Sequence, residues 1–291
     1  MPVKVYIDGA IHGPEDASIS VFDRGFLYGD SVYEVMRTAG GHPVDLAAHL
    51  QRLARSAAIL DLATPPLPAI EDALGQTLAA AGNPESYIRV VVTRGCGEIG
   101  LDIALADTPS LIVLVKPLKL LPAVAYQNGI ALRVVGVQRT PKRVVHPAVK
   151  SGNYLNNIMA LREARAAGAD EAIMCDGEGR VAEGASSNLF VVHGGTVTTP
   201  GVDVDLLPGI TRARVLGLAR ADAIAVVEGT LTPEQVLAAD EVFITSSIRG
   251  VVPVRRVDEH TLAPVPGPVS RRILELYAGF LDRVARGPGN G

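Results

Sequence analysis

The residues from Val149 to Phe190, VKSGNYLNNIMALREARAAGADEAIMCDGEGRVAEGASSNLF, constrain this chain most, because they set two ionisable groups at the edges of apolar elements. Lys150 follows the hydrophobic piece Val144-Val145 and opens a Ser151-Gly152 turn. Asn153 to Ala167 then reads as a helix, with Leu155, Ile158, Met159, Leu161 and Ala164 at helical spacing. Glu171 to Asp176 reads as a short apolar strand, with Gly177-Glu178-Gly179 as its turn. Glu183 lies within Ala-Glu-Gly-Ala-Ser-Ser-Asn, just ahead of the apolar run Leu189-Phe190-Val191-Val192.

The chemistry of such a pair is specific. An amine attacks a carbonyl only in its neutral form, which apolar surroundings favour, and a carboxylate in the same surroundings needs a cationic partner. Pyridoxal phosphate offers both counterparts, an aldehyde for the lysine and a pyridinium for the acid. Taken without its neighbours, the pair reads as a solvated helix-entry lysine and a turn glutamate. Lysine is scarce, however: only Lys4, Lys116, Lys119, Lys142 and Lys150 occur, which narrows the choice of a cofactor-bonding amine.

Composition excludes several other classes. With 291 residues, 48% of them hydrophobic, the chain can bury the core of one large or two ordinary domains. A net charge of −4 without a basic stripe argues against nucleic acid. Cys96 and Cys175 are too isolated for a disulfide framework or a metal site, and no histidines show HExxH or HxxxH spacing, so no metal is expected. The start, MPVKVYIDG, reads as a strand and turn rather than a signal peptide. No run approaches the ~18 apolar residues of a membrane span. A cytoplasmic setting is expected.

Along the chain, Val3 to Ile7 and Ala17 to Phe22 read as strands flanking a turn at Asp8-Gly9. Residues 32–37 alternate, with Val32, Glu34 and Met36 on one face and Tyr33, Val35 and Arg37 on the other. The second face suits a pocket for an apolar side chain and a carboxylate; an edge strand with an exposed arginine is the alternative. Leu46 to Leu60 is an amphipathic helix on which Arg52, by spacing alone, is solvated. Ile70 to Ala81 is a second helix. Tyr87 to Thr93 is a strand, and Gly95-Cys96-Gly97-Glu98-Ile99-Gly100 after it spells GxGxxG. No helix opens at Gly100, and residues 116–122 carry no acid, so this is no dinucleotide fingerprint; a mobile loop at a pocket mouth is expected instead. Leu118 to Gln127 lacks periodicity and reads as a linker, and Ile130 to Val137 as a strand. Pro208-Gly209-Ile210-Thr211 opens a helix whose N-terminus is either a phosphate site or is capped by Thr211. A hydroxyl-rich turn, Thr245 to Gly250, follows the strand Glu241 to Thr245. Pro268 to Val284 closes the chain as a helix, with a loose tail from Gly287 to Gly291. The element order is α+β rather than strict βαβ alternation.

Lys-x-Gly-Asn-Tyr-Leu, the Asp-Glu-Ala strand start and Glu-Gly-Ala-x-x-Asn-Leu-Phe together resemble the fold-type-IV aminotransferases, which depend on pyridoxal phosphate. The resemblance spans roughly Tyr6 to Phe280 and is closest to the branched-chain amino-acid aminotransferases. It implies a two-domain α+β fold, with a small N-terminal domain (1–117), a linker (118–127) and a larger cofactor-binding domain (128–291). It implies that Lys150 forms the Schiff base and shuttles the proton, that Glu183 pairs with the pyridine nitrogen, and that Tyr154 meets the ring hydroxyl. His49-x-x-Arg52-Leu53 matches the family's His-x-x-Arg-Leu, so Arg52, with Gly209, Ile210, Thr211, Ser246 and Ser247, would hold the phosphate. Tyr28, Tyr33, Val35, Arg37, Tyr87, Arg89, Ser247 and Ile248 would line the substrate pocket. The implied reaction moves an amino group from a branched-chain or apolar L-amino acid to 2-oxoglutarate, in a homodimer or larger assembly. Gly29-Asp30-x-Val32-Tyr33-Glu34-Val35 reads more like D-amino-acid aminotransferases, yet Ile99 and Leu101 stand where those enzymes carry an Arg-x-His carboxylate trap. A D-amino-acid or (R)-amine transaminase, an aminodeoxychorismate lyase and a cofactor-free oligomeric scaffold are the alternatives.

Overall fold

A computed structural model describes residues 2–144 and 146–287; Val145 and the tail from 288 on lie outside the described residues. The chain forms two compact units. The first comprises Met1–Lys119, Val149–Asn153 and Leu281–Gly291; the second comprises Leu120–Ala148 and Tyr154–Phe280. Two stretches expected in the C-terminal domain, 149–153 and 281–287, thus return to the first unit. Val149 explains the first return, since it is buried in that unit's core with Val32 and Leu53. The segment 118–127 is not irregular throughout. Ala123–Asn128 is a helix, entered through Pro122 and ended at Gly129 with φ 73°, but six residues are too few to register a period.

In the first unit, among the described residues, six strands pair antiparallel in the order Ala10–His12, Lys4–Ile7, Ser110–Pro117, Ser86–Thr93, Ser31–Ala39, His42–Pro43. The expected strand at Ala17 to Phe22 does not form. The two-residue turn Asp8-Gly9 pairs Ile7 directly with Ala10, so the partner strand is Ala10–His12 and ends before Pro14. The helices Leu46–Ile59 and Leu67–Ala81 contribute Leu50, Leu53, Ile70 and Leu74 to a core with Met36, Ile88, Val90 and Val113 from the sheet. Period-2 alternation thereby fixes which sheet face is left for chemistry: Tyr33, Val35, Arg37, Tyr87 and Arg89 all point away from that core.

Among the described residues, the second unit holds a nine-stranded sheet with antiparallel and parallel ladders, the latter joining Gly250–Val257 to Ile130–Val134, Ile130–Val134 to Glu171–Cys175, and Thr196–Pro200 to Val226–Gly229. Its helix Leu155–Ala166 forms where the spacing predicts, but with a different buried face. Leu155 and Ile158 are 71% and 60% exposed, while Asn157, Ala160 and Ala164 are buried. Small residues let the helix approach Ala131, Ala172 and Met174 closely, and Asn157 Nδ2 donates to the Ala185 carbonyl at 2.9 Å. The strands Val181–Gly184 and Asn188–His193 place Glu183 and Asn188 inside this unit, with Phe190 stacked on Phe243 at 4.8 Å.

Candidate active site

The first unit assembles a lysine-bearing sheet face. Tyr33 N–H donates to the Lys150 carbonyl at 2.9 Å, Gly152 N–H to the Ser31 carbonyl at 3.1 Å, and Lys150 N–H to Ser56 Oγ at 3.2 Å. These bonds seat residues 149–153 against the strand Ser31–Ala39. The Lys150 ammonium position then lies 4.5 Å over the Tyr33 ring, whose centroid is also 3.9 Å from the Arg89 guanidinium carbon. Val35 is half-buried directly opposite Arg89, and Arg37 is opposite Tyr87. Arg37 stands four residues beyond Tyr33, roughly 13 Å at ~3.3 Å per residue, and its Nε donates to the Thr38 carbonyl at 3.1 Å. Five expected substrate residues therefore share one face, and Arg89 and Lys150 both meet the Tyr33 ring on it.

Arg52 is buried, not solvated as helical spacing alone suggests. Its Nε and a terminal nitrogen donate to the two oxygens of Glu34 at 2.6 and 2.8 Å, and His49 Nδ1 lies 2.7 Å from Glu34 Oε2. Burial pushes the Glu34 carboxyl up, but the hydrogen bonds and charges of Arg52 and His49 outweigh it and hold the group down at about 2. Glu34 is the residue that sequence reasoning passed over here. Its signal was a carboxylate on the core-facing side of an alternating strand, which demands a buried cation.

The loop after Thr93 is tied rather than free. Gly100 N–H donates to the Tyr28 hydroxyl at 3.1 Å, and buried Arg24 donates to the Gly100 carbonyl at 2.8 Å. A Cβ on Gly95 would run into the Thr108 carbonyl oxygen, so this glycine serves backbone packing. No α-helix opens at Gly100, and Ile99 and Leu101 are exposed. Tyr28 thus anchors the loop through its hydroxyl.

The second unit places Glu183 in a cage of donors. Its Oε1 accepts from Arg139 Nε at 2.7 Å, and its Oε2 from Leu207 N–H at 3.1 Å and Asn188 Nδ2 at 3.4 Å. Arg139, 44 residues away in sequence, carried no signal in the sequence, because an irregular segment delivers it. Gly209, not Thr211, is the N-cap of the helix Ile210–Ala221, with φ −71° and ψ 136° and no side-chain cap bond. Asn188 Oδ1 lies where a Cβ on Gly209 would be, which explains a glycine here. Thr211 is buried in the first turn, so its hydroxyl and the amides of Ile210 and Thr211 accompany a positive helix end. Ser246 Oγ accepts from Arg249 N–H and Nε at 3.3 and 3.2 Å, which orders the turn carrying Ser247 and Ile248. Tyr154 is the N-cap of Leu155–Ala166.

Two buried hydroxyls of this unit, Ser187 Oγ and Thr245 Oγ1, have no hydrogen-bond partner among the described residues. Thr245 is paired across the sheet with Asn188, the residue after Ser187. Polar groups left unpaired beside a helix N-terminus and a held carboxylate fit a ligand with phosphate oxygens and a cationic ring nitrogen.

Residues 31–257 match the model of the family described as amino-transferase class IV. The chain belongs to the class IV aminotransferases. Their cofactor is pyridoxal phosphate, which fits the donor set above. A relative from Methanocaldococcus jannaschii, whose name as a branched-chain-amino-acid aminotransferase is provisional, is 40% identical over 88% of each chain. A D-alanine aminotransferase of Bacillus licheniformis is 31% identical over 93% of this chain and 94% of its own. The solved branched-chain aminotransferase of the thermophilic archaeon Thermoproteus uzoniensis with norvaline superposes with a TM-score of 0.91, at 31% identity, over 99% of this chain and 97% of that one. Class IV membership accounts for both units as one enzyme, and it removes the cofactor-free scaffold.

Proposed function

We propose that this enzyme transfers the amino group of L-leucine, L-isoleucine or L-valine to 2-oxoglutarate. The observation that carries the reading is the Tyr33 ring flanked by the Arg89 guanidinium and the Lys150 amine, with half-buried Val35 opposite Arg89. An apolar wall beside one fixed cation takes either a branched side chain or the second carboxylate of a dicarboxylic acid. The names of the relatives agree. D-alanine transamination is the second reading, favoured by the Bacillus licheniformis relative, but apolar Ile99 and Leu101 offer no carboxylate trap.

When bound, pyridoxal phosphate supplies an aldehyde for the lysine and a ring that accepts an electron pair. Lys150 would be the amine that bonds it and would move the proton at the substrate's Cα. Glu183 would face the ring nitrogen, its two oxygens fixed by Arg139, Asn188 and Leu207 N–H. Arg52, Gly209, the Ile210 and Thr211 amides, the Thr211 hydroxyl, Ser246 and Ser247 would hold the phosphate, and Tyr154 would meet the ring hydroxyl. Arg89, rather than Arg37, takes the acceptor's second carboxylate because it shares the Tyr33 ring with Lys150. Tyr28, Tyr87 and Ile248 complete the pocket wall.

Exposed Phe26, Ile99 and Leu101 support self-association, with a homodimer or larger assembly as the working form. The two free cysteines support a reducing cytoplasmic location, and among the described residues no helix is long and apolar enough to cross a membrane. A donor panel of L-leucine, L-isoleucine, L-valine, D-alanine and (R)-1-phenylethylamine against 2-oxoglutarate and pyruvate tests the reading. The L-branched donors with 2-oxoglutarate should give the highest kcat/KM, and activity confined to D-alanine overturns it.

A further inference from the structure

The second unit contains a cleft of about 450 Å³ that no step of transamination uses. One wall is apolar, formed by Leu121, Val124 and Ala125 of the Pro122-entered helix and by Ile130. The lining also carries Arg165, Arg249 and Arg255 with a single carboxylate, Asp170. The volume lies in the range of small-molecule sites, which combine apolar lining with a few polar or charged groups.

The charges are not balanced inside the cleft. Asp170 Oδ2 accepts from Ala131 N–H at 2.9 Å and its Oδ1 from Arg165 at 3.3 Å, while Arg255 reaches it only at 3.9 Å. Arg249 is engaged elsewhere, with Glu171 at 2.7 Å, Ser186 and Ser246. One carboxylate therefore serves both Arg165 and Arg255, whose side chains are 59% and 49% exposed and can still turn toward a second anion.

We propose that this cleft is a second, non-catalytic site for a small organic monocarboxylate with an apolar body. The carboxylate sits between Arg165 and Arg255, and the body lies on Leu121, Val124 and Ile130. The size of the cleft and its single apolar wall select a branched aliphatic acid over a dianion or a bare inorganic ion. The inference stands apart from the substrate reading, because none of these residues belongs to the proposed substrate pocket.

The test is calorimetric titration of the holoenzyme with 4-methylpentanoate, compared with the Arg165→Glu/Arg255→Glu double variant. The variant should bind one equivalent per chain fewer than the wild type, with unchanged transamination in the absence of the acid. Acetate, which lacks the apolar body, should bind this site at least about tenfold more weakly. Inorganic phosphate should not compete with 4-methylpentanoate there. Equal stoichiometry in the wild type and the double variant overturns the proposal, as does equal affinity for acetate. The criterion is a difference of one equivalent, so a failure of the substrate reading, which would change both proteins alike, remains distinguishable.

Discussion

Glu34 offers the sharpest test of how the first unit is built. Its carboxyl lies near 2 in the folded protein against an ordinary value of about 4.5. The difference of roughly 2.5 units corresponds to roughly 3 kcal/mol at 1.36 kcal/mol per unit. The folded value is depressed, so this stability is fully present above pH 4.5 and drains away as pH falls toward 2. Glu34→Gln removes the charge while leaving Arg52 and His49 buried, an arrangement that costs about 3–5 kcal/mol when one partner of a buried pair is lost. Urea unfolding of the apoenzyme at several pH values measures both. Glu34→Gln should be several kcal/mol less stable at pH 7, and the gap should narrow steadily between pH 5 and pH 3. A gap that stays constant over that range refutes the reasoning, whatever its size at neutrality, because the other carboxylates titrate equally in both proteins.

Four further outcomes follow from the site. Borohydride reduction and peptide mapping should find the pyridoxyl adduct on Lys150, and an adduct on Lys142 or Lys116 would remove Lys150 from its role. Arg52→Ala should weaken pyridoxal phosphate binding of the folded fraction far more than Arg55→Ala does, since Arg55 is exposed on the same helix; equal losses would return Arg52 to a purely structural role. Arg139→Gln strands a largely buried Glu183 and should lower apoenzyme stability by roughly 2–4 kcal/mol, with Arg139→Lys restoring part of it; an unchanged urea midpoint would show that the pair is dispensable. Arg89→Ala should raise the KM for 2-oxoglutarate about tenfold or more with little change for pyruvate, whereas Arg37→Ala should affect both acceptors alike; the reverse pattern would reassign the second carboxylate to Arg37.

What the sequence determined by itself was local and chemical. Alternation in residues 32–37 separated a core face from a pocket face, and the structure keeps Val32, Glu34 and Met36 fully buried while Val35 and Arg37 stay half-exposed. The candidates Lys150, Glu183 and Gly209-Ile210-Thr211 could be named from sequence because each sits in a short motif whose residues are neighbours along the chain. Long-range partners were not legible. Arg52 looked solvated by helical period, yet Glu34, on a different element, draws it into the core; a period reports which side of a helix a residue is on, not what waits there. The apolar stripe Leu155, Ile158 and Met159 misled for the same reason, since close helix–strand packing was satisfied by alanines instead. Arg139 reached Glu183, and residues 149–153 joined the first unit, through contacts between segments far apart in sequence. Such pairings are decided by the summed burial and hydrogen bonding of the whole fold, which no window of sequence contains.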